Sequence, residues 1–244
     1  MTATILDAVH LPSRLERDGF AIVPGVTEPA TVGRLIQALE NVSDSGSVRR
    51  RESVYGIRNL LDIVPEVREL AASRSVRALV EPVLGPDAFP VRGILFDKTP
   101  GANWNVVWHQ DMTIAVQERR ETPGFGPWSE KAGVTHVQPP PSILEGMLSL
   151  RLHLDTCDED NGPLRVLPGS HRYGRLDAAA TRQWRHEHPE VVCTVPTCGA
   201  LLMRPLLLHA SSDSRRPGHR RVIHIDFAAE DLPFGLRWHT QPRG

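Results

Sequence analysis

With 244 residues and a formal net charge of −1, the chain is long enough to bury a full core and has no surplus of positive charge with which to grip nucleic acid. Its three cysteines, Cys157, Cys193 and Cys198, are too few for a disulfide framework and lack the paired spacing of a zinc finger, so they read as reduced thiols. The opening MTATILDAVHLPSRLERDGF has no basic-then-apolar leader, and no run reaches the roughly 20 apolar residues of a membrane span, so a cytoplasmic protein is expected.

Residues 19–26 (GFAIVPGV) predict a short strand closed by a Pro-Gly turn. Thr27 and Pro29 then open a helix whose Val32, Leu35, Ile36 and Leu39 form one apolar stripe. The polar stretch 43–53, with its arginine run, reads as a solvated loop. A second helical region over 64–84 buries Val76, Leu79, Val80, Val83 and Leu84 and stops at Gly85-Pro86. From about residue 90 the pattern changes to short strands: 91–98, 104–114, 147–155, 164–167, 191–195, 200–209 and 220–228. Turn signals such as Asn161-Gly162-Pro163 and Arg216-Pro217-Gly218 separate them. Residues 117–142 are polar, rich in Gly and Pro and aperiodic, and predict a lid-like loop. The chain thus reads as one domain spanning 1–244, with 1–90 mainly helical support and 91–230 the core of a mostly β jelly roll, a double-stranded β-helix of cupin-like shape.

The sharpest chemical signal is His109-Gln110-Asp111. On a strand, residues two apart project from the same face, so an imidazole and a carboxylate converge. His209, at the end of the apolar run ALLMRPLLLH, supplies a third ligand. Two histidines and a carboxylate on one side of a metal leave its other side open, which is the ligand set of non-haem Fe(II) oxygenases. Arg220 lies past the turn SSDSRRPG and opens a strand expected to pair with the His209 strand. A guanidinium there suits the distal carboxylate of 2-oxoglutarate, while the adjacent Arg221 should face the other way. A lone His-x-Asp arises often by chance, and a lone histidine after an apolar strand is usually a core residue. The ordered set of four is what raises the signal.

Three segments carry a resemblance: WHQD (108–111), LDTCDEDNGPLRVLPGSH (154–171) and HASSDSRRPGHRR (209–221). In this order, over nearly the whole chain from RDGFAIVPGV to IHIDFA, the sequence resembles the phytanoyl-CoA dioxygenase family of Fe(II)/2-oxoglutarate oxygenases. The resemblance implies a double-stranded β-helix, iron held by His109, Asp111 and His209, and 2-oxoglutarate anchored by Arg220. It also implies that Ser211 touches this co-substrate, and that O₂ is consumed with release of succinate and CO₂. Related halogenases carry a small residue in place of the metal carboxylate. Asp111 is present here, so hydroxylation of a small molecule is the expected outcome.

On the strand 147–155, Leu148, Leu150, Leu152 and Leu154 share one face and Ser149, Arg151, His153 and Asp155 the other. If the leucines meet the helices, Arg151 and His153 point inward, and a buried arginine needs an anionic partner. With Lys98 they form a set of possible substrate or cofactor contacts that points to an anionic substrate. Arg58, in YGIRNLL, is a weaker pocket candidate, His224 shares the face of Arg220, His171 is read as a turn brace and His136 as a loop residue. Two other readings remain open at this stage. One is a catalytically silent jelly roll that binds metal or ligand, and the other a cupin-type metalloenzyme that does not use 2-oxoglutarate. No nucleic-acid or membrane partner is expected, and the sequence does not set an oligomeric state.

Overall fold

The computed structural model describes residues 10–51 and 54–241. Residues 1–9, which carried much of the leaderless reading, lie outside the described residues. Helix α1 (Leu11–Arg17) leads into β1 (Phe20–Val23), and α2 (Pro29–Glu40) starts on a proline, whose missing N–H costs nothing in a first turn. Strands β2 (Val48–Arg50) and β3 (Val54–Ile57) occupy the segment around the arginine run, which was expected to be loop. Three helices follow: α3 (Leu60–Ile63), α4 (Pro65–Ala72) and α5 (Arg74–Leu84). The Ser73 hydroxyl caps α5 by accepting from the Val76 amide.

The β-rich part then runs β4 (Phe89–Asp97), β5 (Val106–His109), β6 (Ile114–Val116), β7 (Trp128–Lys131) and β8 (Val134–Val137). After α6 (Pro141–Glu145) come β9 (Leu148–His153) and β10 (Leu164–Val166), and after α7 (Ala178–Glu187) come β11 (Val191–Cys193), β12 (Ala200–Met203), β13 (His209–Ser211) and β14 (Arg221–Ala228). A seven-stranded sheet has the order β1-β12-β9-β14-β4-β3-β2, and a four-stranded sheet the order β11-β10-β13-β5. Together they make the jelly roll. A small third sheet, β6-β8-β7, stands beside them.

The pleat divides the large sheet into two chemically different faces. Leu148, Leu150 and Leu152 of β9 join Ile223, Ile225 and Phe227 of β14 and the buried stripes of α2, α4 and α5 in one apolar core. The opposite face looks into the jelly roll. At one end it is apolar, with Phe20, Ile22, Leu201 and Met203 against Leu164 and Val166. Elsewhere it presents Arg92, Ser149, Arg151, His224 and Asp226.

Four further expectations require correction. The run 200–209 is two strands rather than one. Pro205 cannot donate to a ladder, so β12 stops at Met203, and β13 starts at His209 in the other sheet. The strand expected over 104–114 ends at His109 and resumes at Ile114, which leaves Asp111 on a turn. Strand β14, just after Arg220, pairs with β4 and β9, while β13 pairs with β5 and β10, so the Arg220 and His209 strands are in different sheets. Finally, the segment 117–142 contains a β-hairpin, β7–β8, turning through Ala132 and Gly133 at positive φ and paired to β6. Among the described residues no helix is long and apolar enough to cross a membrane.

Leu150 is fully buried in the core between sheet and helices. Its replacement by alanine is expected to cost about 2–5 kcal/mol of unfolding free energy, read from the denaturant midpoint at constant slope.

Candidate active site

His109 and His209 face each other across the β5–β13 ladder, directly paired in register, with ring centroids 4.1 Å apart. Each ring is oriented in the same way. The Nδ1 of His109 donates to the Val107 carbonyl at 2.8 Å, and the Nδ1 of His209 to the Leu207 carbonyl at 2.8 Å. That tautomer leaves the Nε2 lone pair of each ring free for a metal. Burial pulls His209 well below the usual imidazole range, so its 3.8 Å approach to the Asp111 carboxylate is that of a neutral ring and not an ion pair. Burial works against the charge of Asp111, but nearby positive charge, that of Arg92 among it, outweighs burial and holds the carboxyl below its ordinary value. Among the described residues these three are the group whose ligand atoms lie close enough for one ion, all within 4.8 Å of one another. Two imidazole nitrogens and a carboxylate facing one point fit a divalent metal.

The placement of Asp111 depends on Gln110, which the sequence reading passed over. The Gln110 Nε2 donates to the carbonyls of Leu206 (2.7 Å) and Gly174 (2.8 Å), and its Oε1 accepts from the Leu176 amide (2.8 Å). The Asp111 amide donates to the Pro205 carbonyl at 2.9 Å. The turn bearing the carboxylate is therefore fastened to the segment leading into His209. Ser170, of the PGSH motif, fastens the same segment from the other side: its fully buried hydroxyl donates to the Leu167 carbonyl and accepts from the Leu208 amide.

These ligands open onto a cavity of about 230 Å³. Arg220, Arg151, Ser211 and Arg58 line it, as does His224. Arg220 is buried, and its Nη1 donates to the Gly162 carbonyl. Gly162 has φ +74°, and a Cβ there would lie 2.7 Å from the Ser212 carbonyl, so the Asn-Gly-Pro turn requires this glycine to hold the arginine. The Nε atoms of Arg220 and Arg151 are buried and have no partner among the described residues. Two unanswered guanidinium donors in one cavity fit a carboxylate. Arg221 turns away, as expected, and pairs with Asp155.

The wall behind the cavity is a connected chain of polar groups. Arg151 Nη1 donates to His224 Nδ1 at 2.9 Å, and His224 Nε2 donates to Asp226 Oδ1 at 2.8 Å. The Ser149 hydroxyl reaches the same oxygen at 2.6 Å, and Arg92 Nε pairs with Asp226 Oδ2 at 2.7 Å. Although burial opposes its charge, Arg92 and His224 hold Asp226 far below its ordinary value. Asp226 and Arg92 went unnoticed in sequence, although strand alternation places Asp226 on the face of His224.

Two of the expected contacts lie elsewhere. Lys98 stands just past the end of β4 and donates to the Ser212 carbonyl, where burial and the nearby Arg220 lower it to about 8. His153 is buried at the end of β9, away from the cavity lining, and burial keeps it neutral. His136 is buried in the hairpin, and His171 donates to the Glu16 carbonyl, bracing α1. Lys131, on the hairpin, lines the cavity unforeseen.

A family model described as Phytanoyl-CoA dioxygenase (PhyH) matches residues 15–222. The chain is 24% identical to L-proline trans-4-hydroxylase from Streptomyces griseoviridis, over 93% of this chain and 87% of that protein. The crystal structure of AviO1 from Streptomyces viridochromogenes Tue57 superposes with a TM-score of 0.68 at 24% identity, covering 95% of this chain and 99% of that one. EctD from S. alaskensis with bound Fe gives a TM-score of 0.72 at 19% identity, over 98% and 85% of the two chains.

Gln110→Ala is expected to weaken Mn(II) binding about 10- to 100-fold while leaving the far-ultraviolet circular dichroism spectrum unchanged. Asp226→Asn strands Arg92 and is expected to cost about 3–5 kcal/mol in chemical denaturation.

Proposed function

Because this chain belongs to the phytanoyl-CoA dioxygenase family, we propose that it is an Fe(II)- and 2-oxoglutarate-dependent dioxygenase that hydroxylates a small molecule. The observation that carries this reading is the meeting of four groups in one cavity: the Nε2 faces of His109 and His209, the Asp111 carboxylate and the partnerless Nε of Arg220. Iron bound there, with 2-oxoglutarate and O₂, supplies oxidation of a C–H bond coupled to release of succinate and CO₂.

The chain's own residues bind and orient. His109, Asp111 and His209 are the metal ligands, and their Nδ1 hydrogen bonds and the Gln110 anchor fix the ring planes and the carboxylate before metal arrives. Arg220 grips the far carboxylate of 2-oxoglutarate. Arg151 stands across the same space, stacked over Phe96. Ser211, two residues past His209, is placed to touch the co-substrate. Ile94, Phe96 and Leu164 give the cavity apolar walls that keep water from the reacting centre. The excess of cationic side chains favours an anionic substrate. Three buried free cysteines suit a cytoplasmic setting.

In Arg220→Ala, the 2-oxoglutarate concentration for half-maximal rate is expected to rise at least about tenfold with Mn(II) affinity unchanged. An unaltered 2-oxoglutarate requirement would favour a metalloenzyme that does not use it, and metal binding without succinate release would favour a silent binder.

A further inference from the structure

Five cationic side chains line the cavity, Arg58, Arg92, Lys131, Arg151 and Arg220, against the single carboxylate of Asp111. Arg92 is answered by Asp226. Arg151 and Arg220 flank the space assigned to the co-substrate. Arg58 and Lys131 are left over. Among the described residues no carboxylate forms an ion pair with either; the charges that act on Arg58 are the cations Arg49 and Arg92, and on Lys131 those of Arg92 and Arg58 outweigh the opposing Asp111 carboxylate.

These two residues belong to one built feature. Arg58 precedes Asn59, a residue in the left-handed region at φ 58°, whose Nδ2 donates to the Ala132 carbonyl at 3.1 Å. Ala132 follows Lys131 at the hairpin turn. A single hydrogen bond therefore joins the end of β3 to the tip of the β7–β8 hairpin, with one cation beside each end of it. Asn59 also reaches the Ser47 hydroxyl at 3.2 Å, which fixes the junction further. Lys131 Nζ donates to the Thr113 hydroxyl at 3.0 Å, on the turn that follows Asp111, so its charge is held on the metal side of the hairpin. Burial, together with neighbouring positive charge, lowers both groups from their ordinary values. Half-dehydrated like charges raise the energy of the free protein until an anion enters between them.

We propose that Arg58 and Lys131 form the clamp for an acidic group of the substrate, which is a small molecule bearing a carboxylate or phosphate. This rests on the 2-oxoglutarate reading above, which assigns the other cations. The clamp fixes the acid end at the rim and leaves a neighbouring carbon of the same molecule facing His109, Asp111 and His209.

The test uses protein loaded with Mn(II) and 2-oxoglutarate and titrated with acetate and with inorganic phosphate while the thermal midpoint is followed. Wild type is expected to show a saturable rise with at least one of the two, and which one separates carboxylate from phosphate. In Arg58→Met and Lys131→Met the half-saturating concentration should rise at least about tenfold, and in Arg58→Lys it should stay within about threefold, since that change keeps the charge. 2-Oxoglutarate binding should be unchanged in all of them. In a parallel assay with Fe(II), small acids should stimulate succinate release and their matching amides should not. If wild type binds 2-oxoglutarate but neither anion shifts the midpoint, or if both methionine variants respond like wild type, the clamp is wrong and the enzyme assignment stands. If wild type fails to bind 2-oxoglutarate at all, the assignment beneath the clamp falls with it.

Discussion

The joint between residues 109–111 and 205–209 is what the site depends on. A pleated ladder can bring two imidazoles together, and the direct pairing of His109 with His209 does so. It cannot also supply the carboxylate, because β5 ends at His109 and Asp111 lies beyond it. That third position is created by hydrogen bonds: the Gln110 carboxamide spans Leu206, Gly174 and Leu176, and the Asp111 amide reaches Pro205. All three ligands are thereby referred to one short stretch of backbone, and Ser170 holds that stretch from behind. The middle residue of His-Gln-Asp is then as much a part of the metal geometry as the two that flank it.

The second constraint is the price of placing charge inside a sandwich. One face of the large sheet is largely apolar and buries against helices, so every charged residue of β4, β9 and β14 that faces inward must be answered within the interior. Asp226 answers Arg92 and, through the neutral ring of His224, orients Arg151. His224 suits this task because a neutral imidazole accepts at one nitrogen and donates at the other, which lets an arginine and a carboxylate be linked without touching. The chain ends at Arg151, whose Nε lacks a partner, and Arg220 repeats that deficiency nearby. Interior charges that the protein itself leaves unanswered mark where a ligand has to complete the structure.

Much of this was legible in the sequence because it depends on local pattern. Period-two alternation in LSLRLH put the leucines and Arg151 on opposite faces, the family resemblance favoured Arg151 inside, and the structure has it so. Of the residues that line the cavity, His109, Asp111, His209, Arg220 and Ser211 were also singled out. The misreadings have identifiable causes. Apolar composition concealed the break in ALLMRPLLLH, although Pro205 was the available sign of it. The hairpin was missed because its turn is Ala-Gly, and an alanine at positive φ is not a turn signal that Asn-Gly or Asp-Gly would have been. Lys98 was placed by alternation alone, but it stands beyond the last residue of β4, where the pleat no longer directs a side chain. Arg92 and Asp226 meet across 134 positions of sequence, and nothing local encodes such a pairing.

The layout separates two tasks. The candidate metal ligands and Arg220 come from β5, β13 and the start of β14, in or beside the two sheets of the jelly roll. The unanswered cations Arg58 and Lys131 come from outside that frame, on the β3–α3 junction and on the hairpin, joined to each other by Asn59. A change in the hairpin therefore alters the charge and shape that meet a substrate without moving a metal ligand, because no hydrogen bond of the Gln110 joint passes through it. Lys131 couples the two through its side chain, since its contact with Thr113 lies on the turn between Asp111 and β6, the strand on which the hairpin is paired. Through that bond and the β6–β8 ladder beside it, whatever occupies the rim can bear on the carboxylate ligand while both histidines stay fixed in their ladder.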